Sequence, residues 1–223
     1  MQHRSLKTKG LKIFIRHQES ITILTKVTKH PDFSSIANHI SSRKPFGIEG
    51  NVVEDNSLFK RQRTKSNPIL CYGRSSARGY VPLSLVKTNV DWIERYKVYI
   101  PYANNIGTEL SDDNLNAFIG APNTVCSETF LAVGVDLNLS EKEATNIVLY
   151  LKTKMVRFLH SLSKSSQHGT SKTYRFVPLQ DFTAGSDIDW SQSVAEIDRQ
   201  LYKKYALTPD EIAFIEEKVR PMF

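Results

Sequence analysis

The sequence predicts an α+β fold, with a mixed sheet packed against helices and a helical C-terminal extension. Three observations predict it. Short β-rich runs bounded by proline and glycine occupy the first two thirds of the chain. One long amphipathic pattern begins at a capping box at Ser140, and two short helical patterns end the sequence. With 223 residues, 40% hydrophobic and 24% charged, the chain can bury an ordinary globular core.

The N-terminal half alternates short helices with strands. The second half of Phe14–Val27 carries a helical apolar stripe, and Asp32 can cap a short helix that ends at Ile40. Strands are predicted at Ile69–Tyr72, at Tyr80–Leu83 and at Lys97–Ile100, where Pro101 ends the last one.

The C-terminal half is more helical. After a polar loop over 103–120 and a strand within Val125–Val135, Ser140 and Glu143 form the capping box of a helix predicted over 141–163. Tyr174–Val177 is a predicted strand. Two helices follow, over Ser193–Tyr205 and Pro209–Val219, the second starting from Thr208 as N-cap with Pro209 at N1. We therefore divide the chain into a domain over 1–182 and a helical extension over 183–223.

Charge is unevenly distributed along the chain. The net charge is +7, but residues 1–90 carry +11, residues 91–180 are neutral, and residues 181–223 carry −4. Such a basic half favours a polyanionic partner at one end of the molecule. The alternative is that the charge has no specific role, since many soluble proteins have a pI of about 9.

Other features exclude several protein classes. No apolar run approaches the roughly 20 residues of a membrane span, and the segment after Arg4, Lys7 and Lys9 lacks the apolar core of an export signal. Cys71 and Cys126 are too few for a disulfide framework. We expect a cytoplasmic protein with reduced thiols and no membrane partner, the alternative being an oxidised pair.

Common catalytic and metal motifs are missing. The sequence has no GxxxxGK[ST], GxGxxG, HExxH or GxSxG, and its six histidines have no metal-ligand spacing. Asp210 and Glu216–Glu217–Lys218 fit the PD…ExK nuclease pattern, but on one helix Asp210 and Glu216 face opposite sides. No catalytic residue, metal or cofactor is therefore assigned to this chain.

Several loops combine cations, glycine and aromatic residues. Cations neutralise phosphates, arginine can read guanine, glycine permits close backbone approach, and aromatic rings stack or wedge. A solvated basic turn explains any one loop, but several within a +11 half favour nucleic-acid binding. The predicted contacts are Arg43, Lys44, Phe46, Gly47, Lys60, Arg61, Arg63, Lys65, Tyr72, Arg74, Arg78 and Tyr80.

A polar run before the Val125–Val135 strand offers further candidates. Asn123, Thr124 and Glu128 can donate to or accept from base edges. The same side chains could instead satisfy a buried turn, and the two interpretations have equal weight.

The order of these motifs resembles the C-terminal target-recognition region, of TaqI-like specificity, of type II restriction–modification adenine-N6 DNA methyltransferases. The resemblance runs from about residue 13 to the end. Its most specific parts are Tyr174–Phe182 and the tail helices. It is carried by Ser41–Gly47, Tyr72–Arg74, Tyr96–Pro101, Gly120–Phe130, Tyr174–Phe182 and Ile197–Tyr205.

The resemblance implies sequence-specific binding of double-stranded DNA as the reading part of an adenine methyltransferase. A separate catalytic domain or subunit would bind S-adenosylmethionine, because this chain carries neither the cofactor-binding glycine motif nor Asn-Pro-Pro-aromatic. The chain would then be a fragment, a split specificity partner or a decayed gene product. Two alternatives remain open: a restriction endonuclease subunit, and an interaction module whose tail docks a methyltransferase chain.

Overall fold

The computed structural model describes residues 17–107, 115–164, 166–220 and 222. Within them the predicted α+β class is confirmed. The helices are α1 (Gln18–Thr28), α2 (Glu141–Lys152), α3 (Lys154–Ser161), α4 (Val194–Lys204) and α5 (Pro209–Lys218). The strands are β1 (Ile69–Tyr72), β2 (Arg78–Val81), β3 (Lys97–Pro101), β4 (Phe118–Gly120), β5 (Thr124–Cys126) and β6 (Phe130–Val133).

The strands form two three-stranded sheets. In the first, of order β2-β1-β5, β1 pairs antiparallel with β2 and parallel with β5. In the second, of order β4-β3-β6, both pairings are antiparallel, with Tyr99 opposite Phe118 on one side and Ala132 on the other. The first sheet is therefore mixed, as the sequence predicts.

The alternation of side chains along β3 and β6 places the second sheet in the middle of the molecule. Val98 and Ile100 of β3 belong to the apolar cluster formed with the helices. Tyr99, between them, belongs to a second cluster shared with Ile69 and Cys71 of β1. Because successive side chains of a strand point to opposite faces, the order of layers is helices, second sheet, first sheet.

The long helix predicted over 141–163 is two helices. Its capping box is confirmed. The backbone N–H of Glu143 donates to the Ser140 hydroxyl, and the backbone N–H of Ser140 donates to the Glu143 carboxylate. Thr153, however, adopts an extended backbone and caps α3. The carboxylate of Asp198, on α4, accepts the first α3 amides, from Lys154 at 2.8 Å and Met155 at 3.0 Å. A partner remote in sequence thus stabilises the break.

Other element predictions differ in detail. The strand expected at Tyr174–Val177 is wrong: Tyr174 ends a 3₁₀ turn, and pairing is limited to one bridge between Ser35 and Pro178. The helix expected from Asp32 is a 3₁₀ turn over Ile36–His39, capped by Ser35. β4 lies within the loop expected over 103–120, of which residues 108–114 lie outside the described part, as do Phe14 and Ile15.

The two tail helices pack on the helical layer. Thr208 caps α5 with Pro209 in the first turn and Glu211 completing a capping box, as predicted. Ile197 and Leu201 of α4 and Ile215 of α5 lie in the same cluster as Ile23 of α1. None of the helices in the described part of the chain is both long and apolar enough to span a membrane.

Candidate nucleic-acid interface

A cleft of about 570 Å³ opens where the two sheets meet. Its walls come from the β1–β2 loop, the end of β3 and the starts of β4 and β6. Five of the predicted contact residues line it: Arg43, Tyr72, Arg74, Arg78 and Glu128. The remaining lining residues are Gly73, Ser75, Ser76, Ala77, Pro101, Tyr102, Ala103, Asn116, Phe118, Thr129 and Phe130.

The β1–β2 loop holds two arginines at its two ends. The Gly73 N–H donates to Ala77 O at 2.9 Å, and the Ala77 N–H donates to Arg74 O at 3.0 Å. Between them Ser75 (φ 54°) and Ser76 (φ 60°) are both left-handed, a conformation that costs non-glycine residues energy. This tight loop presents Arg74 and Arg78 together at the cleft.

The floor of the cleft is aromatic. Tyr99 is fully buried, and its hydroxyl donates to Thr124 O at 3.2 Å. Its ring centroid lies 5.5 Å from that of Phe118, 5.7 Å from Tyr72 and 6.5 Å from Phe130. These three outer rings are only half-buried. Packing around a buried tyrosine therefore fixes three partly exposed rings in place.

The guanidinium groups at the rim are held by rings and carboxylates. Arg43 lies over the Tyr102 ring, 4.8 Å from its centroid, and is 2.9 Å from the Glu128 carboxylate. Arg74 pairs with Glu54. Arg78 lies over the Tyr72 ring at 5.6 Å, and among the described residues it forms no ion pair. These contacts restrict all three side chains. The carboxylates offset the charge of Arg43 and Arg74, whereas the charge of Arg78 is not offset by an acid among the described residues.

Glu128 lies at the centre of a small polar network. One carboxylate oxygen accepts from the Gly50 N–H at 3.2 Å, and the other contacts Arg43 and lies 3.9 Å from Lys44. Lys44 also pairs with Glu49. Through these contacts Glu128 positions the side chains of Arg43 and Lys44.

The predicted basic loop lies along the outer strand of the first sheet. The backbones of Lys60 and Tyr80 pair, with N···O distances of 2.9 and 2.7 Å, so the loop is anchored beside β2. Beyond that bridge Arg61, Arg63 and Lys65 are exposed, and within the described ranges none of them pairs with a carboxylate. The loop is therefore anchored to β2, the strand whose first residue, Arg78, lines the cleft.

Four predicted contacts have structural partners instead. Phe46 and Thr124 are buried, Phe46 in the core and Thr124 with its hydroxyl donating to Ala121 O, so we leave both out of the interface. Asn123 donates its side-chain amide to Pro68 O at 3.1 Å. Gly47 is left-handed (φ 71°), its N–H donates to Lys44 O, and Lys87 occupies the space beside its Cα. These placements favour the buried-turn interpretation of Asn123 and Thr124.

Sequence reasoning missed most of the aromatic floor. Tyr99, Tyr102, Phe118 and Phe130 come from three segments that meet only when β3 pairs with β4 and β6. Each is an ordinary aromatic residue in or next to a β-rich run. A usable signal is the recurrence of such residues near strand ends, but without the pairing it does not identify a shared surface.

A buried lysine stabilises the segment leading into β3. Lys97 is fully buried, and its ammonium donates to the carbonyl oxygens of Trp92, Ile93 and Arg95 at 2.8–3.0 Å. Burial lowers its pKa to about 8. Lys97 thus links the turn before β3 to β3 itself, the strand that carries Tyr99.

The nuclease-like carboxylates Asp210 and Glu216 have different surroundings. Glu216 pairs with Lys154 and accepts from the Tyr202 hydroxyl at 3.0 Å, whereas Asp210 is exposed in the first turn of α5. Within the described residues, no group of three His, Cys, Asp or Glu side chains could hold a metal ion. Cys71 and Cys126 are buried free thiols on neighbouring strands.

Comparison with known proteins shows a likeness in structure without a likeness in sequence. No protein-family model matches the sequence. No curated protein matches it. The type IIG restriction endonuclease BpuSI is similar in structure, with 12% sequence identity and a TM-score of 0.46 over 91% of this chain. The match covers 32% of that enzyme, so this chain spans about a third of its length.

Proposed function

We propose that this protein binds double-stranded DNA through the cleft and the adjoining basic loop. One observation carries the proposal: Arg43, Arg74 and Arg78, from two separate segments, meet at one aromatic cleft. The exposed cations Arg61 and Arg63 follow Lys60, whose backbone pairs with Tyr80 on β2. Cations supplied by several segments suit the repeated charges of a phosphate backbone, whereas a small anion would need one compact group.

The distribution of charge supports the same surface. The first 90 residues carry +11, and the cations of the cleft and basic loop all belong to them. The −4 tail packs through α4 and α5 on the helical layer. Among the described residues of the acidic segment, none lines the cleft.

A finer proposal concerns the biological setting. We propose that binding is sequence-specific and serves an adenine-N6 methylation or restriction system. The support is the series of motifs between Ser41 and Tyr205 that resembles the target-recognition region of such methyltransferases. In that setting a partner chain or domain binds S-adenosylmethionine and carries out methyl transfer. This chain binds the phosphate backbone of the duplex and distinguishes one base sequence from another.

Selection from a random duplex library tests specificity without assuming a recognition sequence. Repeated rounds of capture by the purified protein should enrich one short motif. The enriched duplex should then bind more tightly than a shuffled duplex at the same salt concentration. Equal, weak binding of both duplexes would contradict sequence-specific recognition.

Substitution of Arg78 tests the surface itself. Because Arg78 has no carboxylate partner in the described part of the chain, Arg78→Ala removes a cation without leaving an unpaired acid. We expect weaker binding to every duplex if Arg78 contacts phosphate, and relaxed preference at one position if it contacts a base. Arg175→Ala is the matched control, because Arg175 is also exposed, lies over an aromatic ring and forms no ion pair among the described residues. Equal affinities of the two variants would contradict the proposed surface.

A further inference from the structure

Arg43 is held from two sides at the rim of the cleft. Its Nη2 lies 2.9 Å from the Glu128 carboxylate, and its guanidinium carbon lies 4.8 Å from the centroid of the Tyr102 ring. The Arg43 side chain is 53% exposed, whereas that of Glu128 is 19% exposed. A planar guanidinium that is fixed before binding loses little side-chain freedom when it contacts a ligand. Arg43 is therefore suited to a contact of defined geometry.

The carboxylate and the ring that hold this guanidinium belong to one hydrogen-bonded unit of backbone. The Glu128 N–H donates to Ile48 O at 2.9 Å, and one Glu128 carboxylate oxygen accepts from the Gly50 N–H at 3.2 Å. The Tyr102 N–H donates to Thr129 O at 2.8 Å, which joins the segment that carries the ring to the turn that carries the carboxylate. The positions of both groups are therefore set by backbone hydrogen bonds.

The charges around Arg43 are balanced. Lys44 lies 3.9 Å from the Glu128 carboxylate and pairs with Glu49, so two cations stand beside two acids. A phosphate brought to Arg43 would also meet the Glu128 carboxylate, which would repel it. Arg78 differs, because among the described residues it pairs with no acid. The balance favours a neutral acceptor for Arg43 and leaves Arg78 suited to phosphate.

One neutral group of the duplex offers two acceptors to a guanidinium. Guanine presents O6 and N7 side by side in the major groove. Adenine and cytosine each place an amino donor there, and thymine offers one acceptor beside a methyl group. A guanidinium can donate to both guanine acceptors at once, in the plane of the base. Guanine is therefore the base that fits an arginine that is fixed in place and whose charge is offset.

We infer that Arg43 reads a guanine in the major groove of the bound duplex by donating to O6 and N7, and that Glu128 and Tyr102 position its guanidinium. The inference rests on the proposed function, because the surrounding cations must first hold the duplex. It identifies one specificity-determining residue of this chain and one base of the sequence that the chain recognises. Glu128, predicted from the sequence as a base contact, is in this account a positioning residue.

Replacement of single guanine atoms tests the inference on the unmodified protein. The probe is the duplex enriched by selection, in which each guanine is replaced in turn by 7-deazaguanine, which lacks N7 but still pairs with cytosine. At one or more positions the replacement should weaken binding about tenfold, because one of the two acceptors is lost. An enriched duplex without guanine, or equal affinity of every replaced duplex, would overturn the inference.

A charge-neutral double variant then assigns the effect to Arg43. Arg43→Ala with Glu128→Gln removes one charge of each sign, so affinity for the shuffled duplex should be unchanged, and at one guanine the 7-deazaguanine effect should disappear. Arg199→Ala with Glu196→Gln removes an equivalent ion pair on α4, outside the cleft, and should retain every effect. Persistence of all the effects in the Arg43 double variant would overturn the inference.

A second variant covers a failure of the first to fold by circular dichroism. Arg43→Lys keeps a cation beside Glu128 but lacks the planar guanidinium, so the 7-deazaguanine effect at that guanine should fall severalfold. An effect of full size in folded Arg43→Lys would overturn the reading by two acceptors.

Glu128→Gln alone tests the positioning role. The amide oxygen can still accept from the Gly50 N–H, but Arg43 no longer has an acid beside it. Affinity for the shuffled duplex should rise, and the slope of log affinity against log salt should steepen by about 0.9, because Arg43 becomes available to a phosphate. The preference for the enriched duplex should fall. An unchanged slope or an unchanged preference would overturn the role of Glu128.

The unmodified protein separates this inference from the proposed function. Absence of binding to any duplex would overturn the proposed function and the inference with it. Tighter binding of the enriched duplex than of the shuffled one, without any loss on replacement by 7-deazaguanine, would overturn the inference alone.

Discussion

Mild acid is expected to destabilise the protein through His160, a histidine at the centre of the helical layer. Its side chain is fully buried and stacks on the Tyr174 ring, with centroids 4.0 Å apart. Nδ1 lies 3.3 Å from Thr173 O, which can only accept, so the neutral ring carries its proton there. Nε2 has no partner within the described residues. A protonated ring would bury an unpaired N–H and a charge.

The magnitude follows from the pKa of His160 in the two states. Burial, and then the charge of Lys164, lower its pKa from 6.5 to about 3 in the folded protein. Below about pH 6.5, His160 is therefore protonated in the unfolded chain but stays neutral in the folded protein. Above that pH, His160 does not lower the free energy of unfolding. As the pH falls from 6.5 toward 3, the free energy of unfolding decreases. At pH 5 the loss from this residue is about 2 kcal/mol.

Urea unfolding at pH 7 and pH 5 isolates this contribution when the protein is compared with His160→Gln. The unmodified protein should lose about 2 kcal/mol more than the variant between the two pH values, because other titrating groups cancel in the comparison. Tyr174→Phe, which alters the stacked ring without removing the histidine, should keep the full pH dependence. Equal pH dependence of the protein and His160→Gln would show that His160 is not the source of the acid sensitivity.

Two further predictions concern buried groups. Burial raises the pKa of Cys71 to about 12 and that of Cys126 well above its usual value, so iodoacetamide at pH 8 should modify neither thiol in the folded protein and both in urea. Rapid modification of the folded protein would contradict this. Asp198→Ala removes the acceptor of two α3 amides and should lower the free energy of unfolding by about 3 kcal/mol, whereas Asp198→Asn, which keeps one acceptor, should cost less. Equal losses in the two variants would contradict the capping role.

Features set by local sequence were predictable. The capping boxes at Ser140 and Thr208 each need only residues within one turn, and both are present. β1 and β3 are runs of β-prone residues, and both form strands. Local signals of this kind do not depend on how the chain is arranged in space.

Features set by distant partners were not predictable. The break at Thr153 interrupts an apolar stripe that continues on both sides of it, and Asp198 from α4 supplies the acceptor that stabilises the new helix start. The Tyr174–Val177 segment has a β-prone composition, but it meets only the single bridge at Pro178. In both places a tertiary contact outweighs local preference.

The candidate site shows the same division. Arg43, Arg74 and Arg78 are visible in the sequence because cations in glycine-rich loops are a local pattern. Their convergence, and the aromatic floor between them, depend on strand pairing that places Phe118 opposite Tyr99. The sequence therefore identifies three cations that line the cleft, but it does not predict the surface that they share.

The salt dependence of duplex affinity tests the proposed DNA-binding surface, because each phosphate contact contributes to it. The triple variant Arg61→Ala, Arg63→Ala, Arg78→Ala should reduce the slope of log affinity against log salt by about 0.9 for each phosphate contact that the substitutions remove. A control of equal charge change, Lys172→Ala, Arg199→Ala, Lys203→Ala, alters exposed cations elsewhere and should leave the slope unchanged. Identical slopes for both variants and the unmodified protein would contradict DNA binding through this surface.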